Sequence, residues 1–101
     1  MLAVAEGDTA LIHAVRHGQV AVVAAMLAET GDYDVNAPMT KGSCATPLYV
    51  ACLNGHSEIV TKLLAANADV NKPKTDGSGA TPLMIACQEG HTDVVTKLLE
   101  R

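Results

Sequence analysis

Aromatic residues are almost missing from this chain of 101 residues, which has two tyrosines, Tyr33 and Tyr49, and no phenylalanine or tryptophan. Hydrophobic residues nevertheless make up 49% of the sequence, so the chain is not compositionally disordered. The length fits one small domain. Its core must be built from alanine, valine, leucine, isoleucine and methionine, which favours thin, closely stacked layers and excludes a domain with a bulky aromatic centre.

Stretches of lysine and arginine are also missing. Seven basic residues stand against eleven acidic ones, which gives a formal net charge of −4. A chain of this charge disfavours non-specific binding to a phosphate backbone. We therefore expect no nucleic-acid partner.

No apolar run approaches the roughly 20 residues that a membrane-spanning helix needs. Residues 1–6 have no basic segment, and their apolar run is too short for a secretory signal. The three cysteines, Cys44, Cys52 and Cys87, are an odd number at wide spacing and do not form a self-contained disulfide framework. These features predict a soluble protein of a reducing compartment, the cytoplasm or the nucleus, with no membrane partner.

What the chain does contain is a repeat. Residues 46–56 (TPLYVACLNGH) recur as residues 81–91 (TPLMIACQEGH), 35 positions later, and the apolar segments that follow obey the same offset. A weaker copy begins at Thr9, 37 positions before the second copy. Self-similarity at such a period is typical of proteins that stack one supersecondary unit. We divide the chain into three repeats, at about residues 7–36, 37–71 and 72–101.

Each unit contains the signals for two short helices. In the second repeat, Thr46 suits an N-cap, Pro47 suits the first helical position, and Gly55 suits a left-handed helix end. The third repeat carries the same three signals at Thr81, Pro82 and Gly90. Ser57 or Thr92 then opens the second helix of its repeat.

Stacking explains why the unit is repeated. An isolated helix pair of this size cannot bury its own apolar face, whereas neighbouring pairs bury it against each other. Asn67 suits a left-handed end of the second helix in the second repeat, and Gly31 does so in the first. Small residues let the first helices approach closely: Ala51, Cys52, Ala86 and Cys87. Leucines fill the space between the layers: Leu48, Leu63, Leu83 and Leu98.

The pattern Thr-Pro-Leu-x-x-Ala-Cys-x-x-Gly-His, followed by Ile-Val-x-x-Leu-Leu and by Ala-Asp-Val-Asn at residues 68–71, resembles the ankyrin repeat over roughly residues 9–101. The resemblance implies an all-α repeat solenoid, in which antiparallel helix pairs stack and β-turn fingers project from the connectors. It implies one ankyrin-repeat domain over residues 1–101, with a degenerate first repeat and a last repeat that ends within its second helix. Tyr49 and Met84 depart from the pattern, because histidine usually follows Thr-Pro-Leu.

The resemblance also implies where a partner protein would bind, since ankyrin arrays usually dock partners on finger tips and on the concave face of the first helices. Carried onto this chain, the candidate partner-binding residues are Lys41, Ser43, Tyr49, Leu53, Asn54, Lys72, Lys74, Thr75, Asp76, Met84, Gln88 and Glu89. Tyr49, Leu53 and Met84 form an exposed apolar anchor, or else Tyr49 and Met84 pack under the next finger. The three lysines of the set either form a mildly basic edge that favours an acidic partner, or are solvated turn residues.

The sequence predicts no catalytic, cofactor or metal site. His13 and His17 are four positions apart, but no third ligand has a defined place, and we expect one buried and one exposed side chain that do not share a face. Cys52 and His56, like their counterparts in the third repeat, occupy positions that the resemblance assigns to packing, with the histidine bridging neighbouring turns. Residues 77–79 lack the lysine and the strand context of a phosphate-binding loop and suit turns with positive φ.

We therefore expect a non-enzymatic protein–protein interaction module without cofactor or metal. Its stacked helices would hold the binding residues in a fixed geometry and so lower the ordering cost of binding. The alternative is a structural or spacer segment of a longer ankyrin array, or of a larger multidomain protein whose binding or catalytic part lies outside this chain. We expect a monomer, with self-association if the apolar flank at Val95 and Leu98 lacks its cover.

Overall fold

The structure, a computed structural model, describes residues 9–28, 35–38, 44–74 and 77–100. Six helices lie within these ranges: α1 (Ala10–Arg16), α2 (Val20–Ala28), α3 (Pro47–Asn54), α4 (Ser57–Ala65), α5 (Pro82–Gln88) and α6 (Thr92–Leu99). They follow one another as three helix pairs, and the described ranges contain no strand.

The first helix of each pair begins at a threonine whose hydroxyl accepts a hydrogen bond from a backbone N–H in the first turn. These bonds join Thr9 to Ile12 at 3.1 Å, Thr46 to Tyr49 at 3.2 Å, and Thr81 to Met84 at 3.3 Å. The predicted caps in the second and third repeats are thereby confirmed. Pro47 and Pro82 occupy the first helical turn as predicted, where a missing N–H costs nothing.

Residues in the left-handed region end the helices and form the turns. Gly55 and Gly90 have φ angles of +71° and +72°, and Asn67 has a φ of +67°. Gly77 and Gly79, in the turn before α5, have φ angles of +96° and +66°. All five positions were predicted as turns or helix ends, because glycine and asparagine adopt this conformation at little steric cost.

The helix pairs stack side by side in two layers. One layer contains α1, α3 and α5, and the other contains α2, α4 and α6, with each helix packed against its neighbours in the layer. Within each pair, the first helix also packs against the second. This arrangement confirms the predicted all-α repeat solenoid. None of the helices in the described part of the chain is long and apolar enough to span a bilayer.

The core is centred on the middle helix pair. Ile59, Val60 and Leu63 of α4 are completely buried, and so are Ala51 and Cys52 of α3. The middle pair is enclosed on both sides because it has a neighbouring pair in each direction along the stack.

The environment of Cys87 differs from the one that we predicted from the sequence. It was predicted to pack between first helices like Cys52, but it is exposed, although the adjacent Ala86 is fully buried. The reason is that α3 has a first helix on each side, whereas α5 has one on a single side within the described residues.

Hydrogen bonds hold the connectors in place. The backbone N–H of Asp69 donates to Oδ1 of Asn36, in the preceding connector, at 2.7 Å. The N–H of Lys74 donates to the carbonyl oxygen of Ala80 at 2.8 Å. This bond joins residues 72–74 to residues 77–80, and we call these two described ranges the second finger.

Candidate partner-binding surface

The ends of the first helices form a row across the stack. Asn54 at the end of α3 is exposed, as are Gln88 and Glu89 at the end of α5, while Leu53 is half-buried. Because α3 and α5 lie side by side, equivalent positions on the two helices are neighbours. Four predicted binding residues are therefore brought together on one surface, three of them open to solvent.

Tyr49 is buried and is not part of an exposed apolar anchor. Its side chain is only 5% exposed, and the ammonium Nζ of Lys74 lies 5.1 Å from the centroid of its ring. A cation at this distance is attracted to the negative face of an aromatic ring. Tyr49 therefore packs under the second finger, as the alternative interpretation proposed, and its contribution to the surface is to hold Lys74.

The environment of Met84 differs from that of Tyr49. It is the counterpart of Tyr49 in the third repeat, but it is 57% exposed, so it does not pack under a finger within the described residues. Of the predicted apolar anchor, Met84 is exposed, Leu53 is half-buried and Tyr49 is covered. The three residues do not form a continuous exposed patch.

The structure describes two of the three predicted finger lysines. Lys72 and Lys74 are half-buried in the second finger. Several predicted residues lie outside the described residues: Gly31, Lys41, Ser43, Thr75 and Asp76.

Histidines bridge successive repeats as the resemblance implied. His91 Nε2 lies 3.0 Å from the carbonyl oxygen of Leu53 in the preceding repeat, within hydrogen-bond distance. The same ring lies against Gly55, where an added Cβ would meet His91 Cε1 at 2.7 Å. The His56 ring lies in the same way against Gly18, with a corresponding distance of 3.1 Å. These contacts place both histidines in the packing between repeats.

Cys52 is unsuited to nucleophilic catalysis. Its side chain is completely buried, and burial raises the pKa of the thiol from 9.0 to about 12. Only the thiolate is nucleophilic, and this pKa leaves almost none of it at neutral pH. Cys44 is half-buried and has a φ of +54°.

His13 and His17 share a face of α1, contrary to expectation. Their ring centroids are 4.6 Å apart, because residues four positions apart on a helix are neighbours. His13 is half-buried, and its Nδ1 is a buried atom without a hydrogen-bond partner. Two histidines supply half of a tetrahedral metal site, and the described residues contain no group of three or more histidine, cysteine or acidic side chains that could hold a metal ion.

Two of the clefts in the other layer lie away from the ends of the first helices. The cleft between α2 and α4 has a volume of about 290 Å³, and its lining is Ala24, Leu27, Ala28, Lys62, Ala65 and Ala66. The cleft between α4 and α6 has a volume of about 350 Å³. Both lie near the lower limit of small-molecule pockets, and neither includes a predicted binding residue.

The repeats also match the models of a known protein family. A family model described as ankyrin repeats, in three copies, matches residues 32–101, and a model of the single ankyrin repeat matches residues 6–39. The chain belongs to the ankyrin-repeat family. No curated protein matches its sequence. Ankyrin repeats are generally protein–protein interaction modules, and the family is typically non-catalytic.

Two exposed apolar residues of this ankyrin-repeat chain were not predicted as surface residues. Val22 of α2 is 45% exposed and Leu99 of α6 is 69% exposed. The predicted apolar flank at Val95 and Leu98 is instead half-buried at Val95 and buried at Leu98. Val22 lies in the first described helix pair and Leu99 in the last. Each of these pairs has a neighbouring pair on only one side within the described residues, and this position in the repeat order is the signal that could have predicted their exposure.

Proposed function

We propose that this chain is a non-enzymatic module that binds another protein through the second finger and the exposed end of α3. One observation carries the proposal: Lys74 is held twice, by the bond of its N–H to Ala80 and by the contact of its ammonium with the Tyr49 ring. A side chain that is held in place before binding loses little conformational entropy when a partner docks.

The chemistry of this surface favours a partner with acidic groups. Lys72 and Lys74 supply two positive charges in the finger, and Asn54 supplies an exposed amide at the end of α3. Carboxylates of the partner could receive hydrogen bonds from these side chains. Contacts of this kind are screened by salt, so the affinity should fall as ionic strength rises.

The experiment is affinity capture with the chain as bait, followed by a binding titration with the captured protein. The test variant is Asn54→Ala/Lys72→Gln/Lys74→Gln. A matched control, Thr61→Ala/Lys62→Gln/Lys97→Gln, removes two charges from the layer of second helices instead. Circular dichroism and thermal unfolding establish that both variants keep the fold.

We expect the wild-type chain and the control to capture a protein that the test variant binds at least tenfold more weakly. We also expect the affinity of that protein to fall as salt is raised from 50 to 500 mM. Equal capture by the two variants would contradict the proposal and favour the alternative role as a structural segment of a larger array or protein.

A further inference from the structure

The exposed apolar side chains lie at the two ends of the stack. Among the described residues, the large hydrophobic side chains that are exposed are Val22 at 45%, Met84 at 57% and Leu99 at 69%. Val22 belongs to the first helix pair, and the other two belong to the last. The middle pair, which has a neighbour on each side, contains none of them.

Equivalent residues of other repeats are buried. Tyr49, the counterpart of Met84, is 5% exposed, and Leu64, the counterpart of Leu99, is 4% exposed. Tyr49 is covered by Lys74 of the following finger, and Leu64 lies beside α6 in the cleft between α4 and α6. Met84 and Leu99 therefore stand where the following repeat would cover them. We call the surface that contains them the trailing face.

Val22 stands on the opposite side of its repeat. Its counterparts are Ile59, which is completely buried, and Val94, which is 1% exposed. Ile59 lines a cleft together with Val20 of the preceding repeat, and Val94 lines one together with Gly55 of the preceding repeat. Val22 therefore stands where a preceding repeat would cover it. We call the surface around Val22 and Gln19, on α1 and α2, the leading face.

The trailing face also has an open socket for a side chain. Inside the stack, the His91 ring fills the space against Gly55 and bonds to the Leu53 carbonyl. At Gly90, the counterpart of Gly55, nothing lies within 4 Å of an added Cβ. The carbonyl of Gln88 stands where the Leu53 carbonyl stands one repeat earlier.

The leading face carries a residue suited to this socket. Gln19 occupies the position that His56 and His91 occupy in the later repeats. Its side-chain amide is a hydrogen-bond donor, as a histidine ring N–H is, so it can donate to the Gln88 carbonyl.

Among the described residues, the first and last repeats differ in charge. Residues 9–28 contain no carboxylate and carry one arginine and two histidines, whereas residues 77–100 carry three carboxylates and one lysine. In the row of first-helix ends, His17 is the counterpart of Asn54 and Glu89 is the counterpart in the last repeat. A leading face docked on a trailing face would bring His17 beside Glu89.

We propose that copies of this chain associate head to tail, with the leading face of one copy packed on the trailing face of the next. The contact continues the interface that already joins the first repeat to the second and the second to the third. It uses two different surfaces, so each added copy leaves one face of each kind open and the assembly grows by stacking rather than closing as a pair. The proposal does not depend on partner binding at the second finger.

The test measures the mass of the purified 101-residue chain, without any partner, by sedimentation velocity and light scattering from 1 µM to 1 mM. The leading face is disrupted by Val22→Lys, and the trailing face by Met84→Lys/Leu99→Lys. Ala65→Lys, an exposed position of the middle pair in the layer of second helices, is the matched control. Circular dichroism verifies that each variant is folded.

We expect the wild type and Ala65→Lys to increase in mean mass with concentration, beyond the mass of a dimer. Each face variant should remain monomeric at concentrations where the wild type associates, a weakening of at least tenfold. An equimolar mixture of the two face variants should form a one-to-one dimer and nothing larger, because each supplies the one intact face that the other lacks.

Three outcomes would overturn the proposal. The first is a wild-type chain that stays monomeric up to 1 mM. The second is a single-face variant that dimerises by itself, which would mean that like faces pack together. The third is loss of association in Ala65→Lys, which would place the contact on the middle pair and not on the two end faces.

Discussion

Cys52 and Cys87 occupy the same position of two repeats, yet their thiols are in different environments. Cys52 is enclosed by the middle of the stack, and burial raises its pKa to about 12, whereas Cys87 is open to solvent. Burial raises the pKa of Cys52 because a thiolate loses its hydration when it is moved away from water. A neighbour in the stack thus decides the chemistry of a residue whose local sequence is nearly the same.

The raised pKa of Cys52 makes stability depend on alkaline pH. The folded-state pKa lies above the ordinary value of 9.0, so this contribution to stability is complete below pH 9 and is lost as the pH rises towards 12. At pH 10.5 the loss should reach about 2 kcal/mol, since each pH unit above the ordinary pKa corresponds to about 1.4 kcal/mol. Urea denaturation at pH 7, 9 and 10.5 measures it.

The variants Cys52→Ala and Cys87→Ala separate this effect from the titration of tyrosine and lysine. Cys52→Ala should lose about 2 kcal/mol less than the wild type between pH 7 and pH 10.5, whatever its stability at pH 7. Cys87→Ala keeps the Cys52 thiol, so it should keep the loss of stability that this thiol causes. If the two variants show the same pH profile, the burial of the Cys52 thiol does not govern alkaline stability.

At the scale of elements, each turn glycine serves two purposes. It adopts the left-handed conformation that ends the first helix, and it leaves room for the histidine ring of the following repeat. Gly55 meets both requirements, because its φ is +71° and the His91 ring lies against it. Gly90 has nearly the same φ, +72°, but no atom near the position of a Cβ. A comparison of the two glycines therefore separates the cost of backbone strain from the cost of disturbing the packing between repeats.

Alanine at the two positions should have different costs. Gly90→Ala should destabilise the fold by about 1 kcal/mol, the cost of a left-handed conformation for a residue with a Cβ. Gly55→Ala should cost about 1 kcal/mol more, because the His91 ring must move and lose its hydrogen bond to the Leu53 carbonyl. Urea denaturation at low protein concentration gives both values.

A double-mutant cycle with His91→Ala tests the cause. In the absence of the ring, the extra cost of Gly55→Ala should disappear, so the two substitutions should be non-additive. Equal costs for the two glycine substitutions, or additive costs in the cycle, would show that the His91 contact does not stabilise the interface between repeats.

At the scale of the whole molecule, stability comes from the coupling between neighbouring repeats. The middle pair packs on both sides, and its Ile59 and Leu63 are completely buried, whereas each outer pair packs on one side within the described residues. In a linear stack of this kind, the free energy of unfolding is approximately the sum of repeat terms and nearest-neighbour interface terms. A change in the middle pair therefore affects two interfaces.

Leu63 and Leu98 provide a matched comparison of the same residue in two repeats. Leu63 is completely buried in α4, and Leu98 is 6% exposed in α6. Leu63→Ala should destabilise the chain by about 4 kcal/mol and Leu98→Ala by about 2 kcal/mol, the upper and lower parts of the range for buried leucines. Chemical denaturation followed by circular dichroism measures both, and similar values would contradict the nearest-neighbour account.

The signals that could be read from the sequence are those that act within one turn of a helix. Thr46 caps the third described helix, Pro47 follows it, and Gly55 ends that helix, each as predicted. These roles depend on φ angles and on hydrogen bonds to residues a few positions away. The placement of Tyr49 and of Cys87 was not predicted in the same way, because it depends on what packs against them from a distant part of the chain.

By itself, the sequence determined the repeat, the helix caps and ends, and through them the family and the all-α architecture. Only the tertiary structure decided which of two equivalent residues is covered: Tyr49 lies under Lys74, while Met84 is exposed. The physical reason is that capping is a local interaction, whereas burial depends on the presence of the next repeat about 35 positions away. Two residues of the same type at equivalent positions of two repeats can therefore be buried in the middle of the stack and exposed at its end.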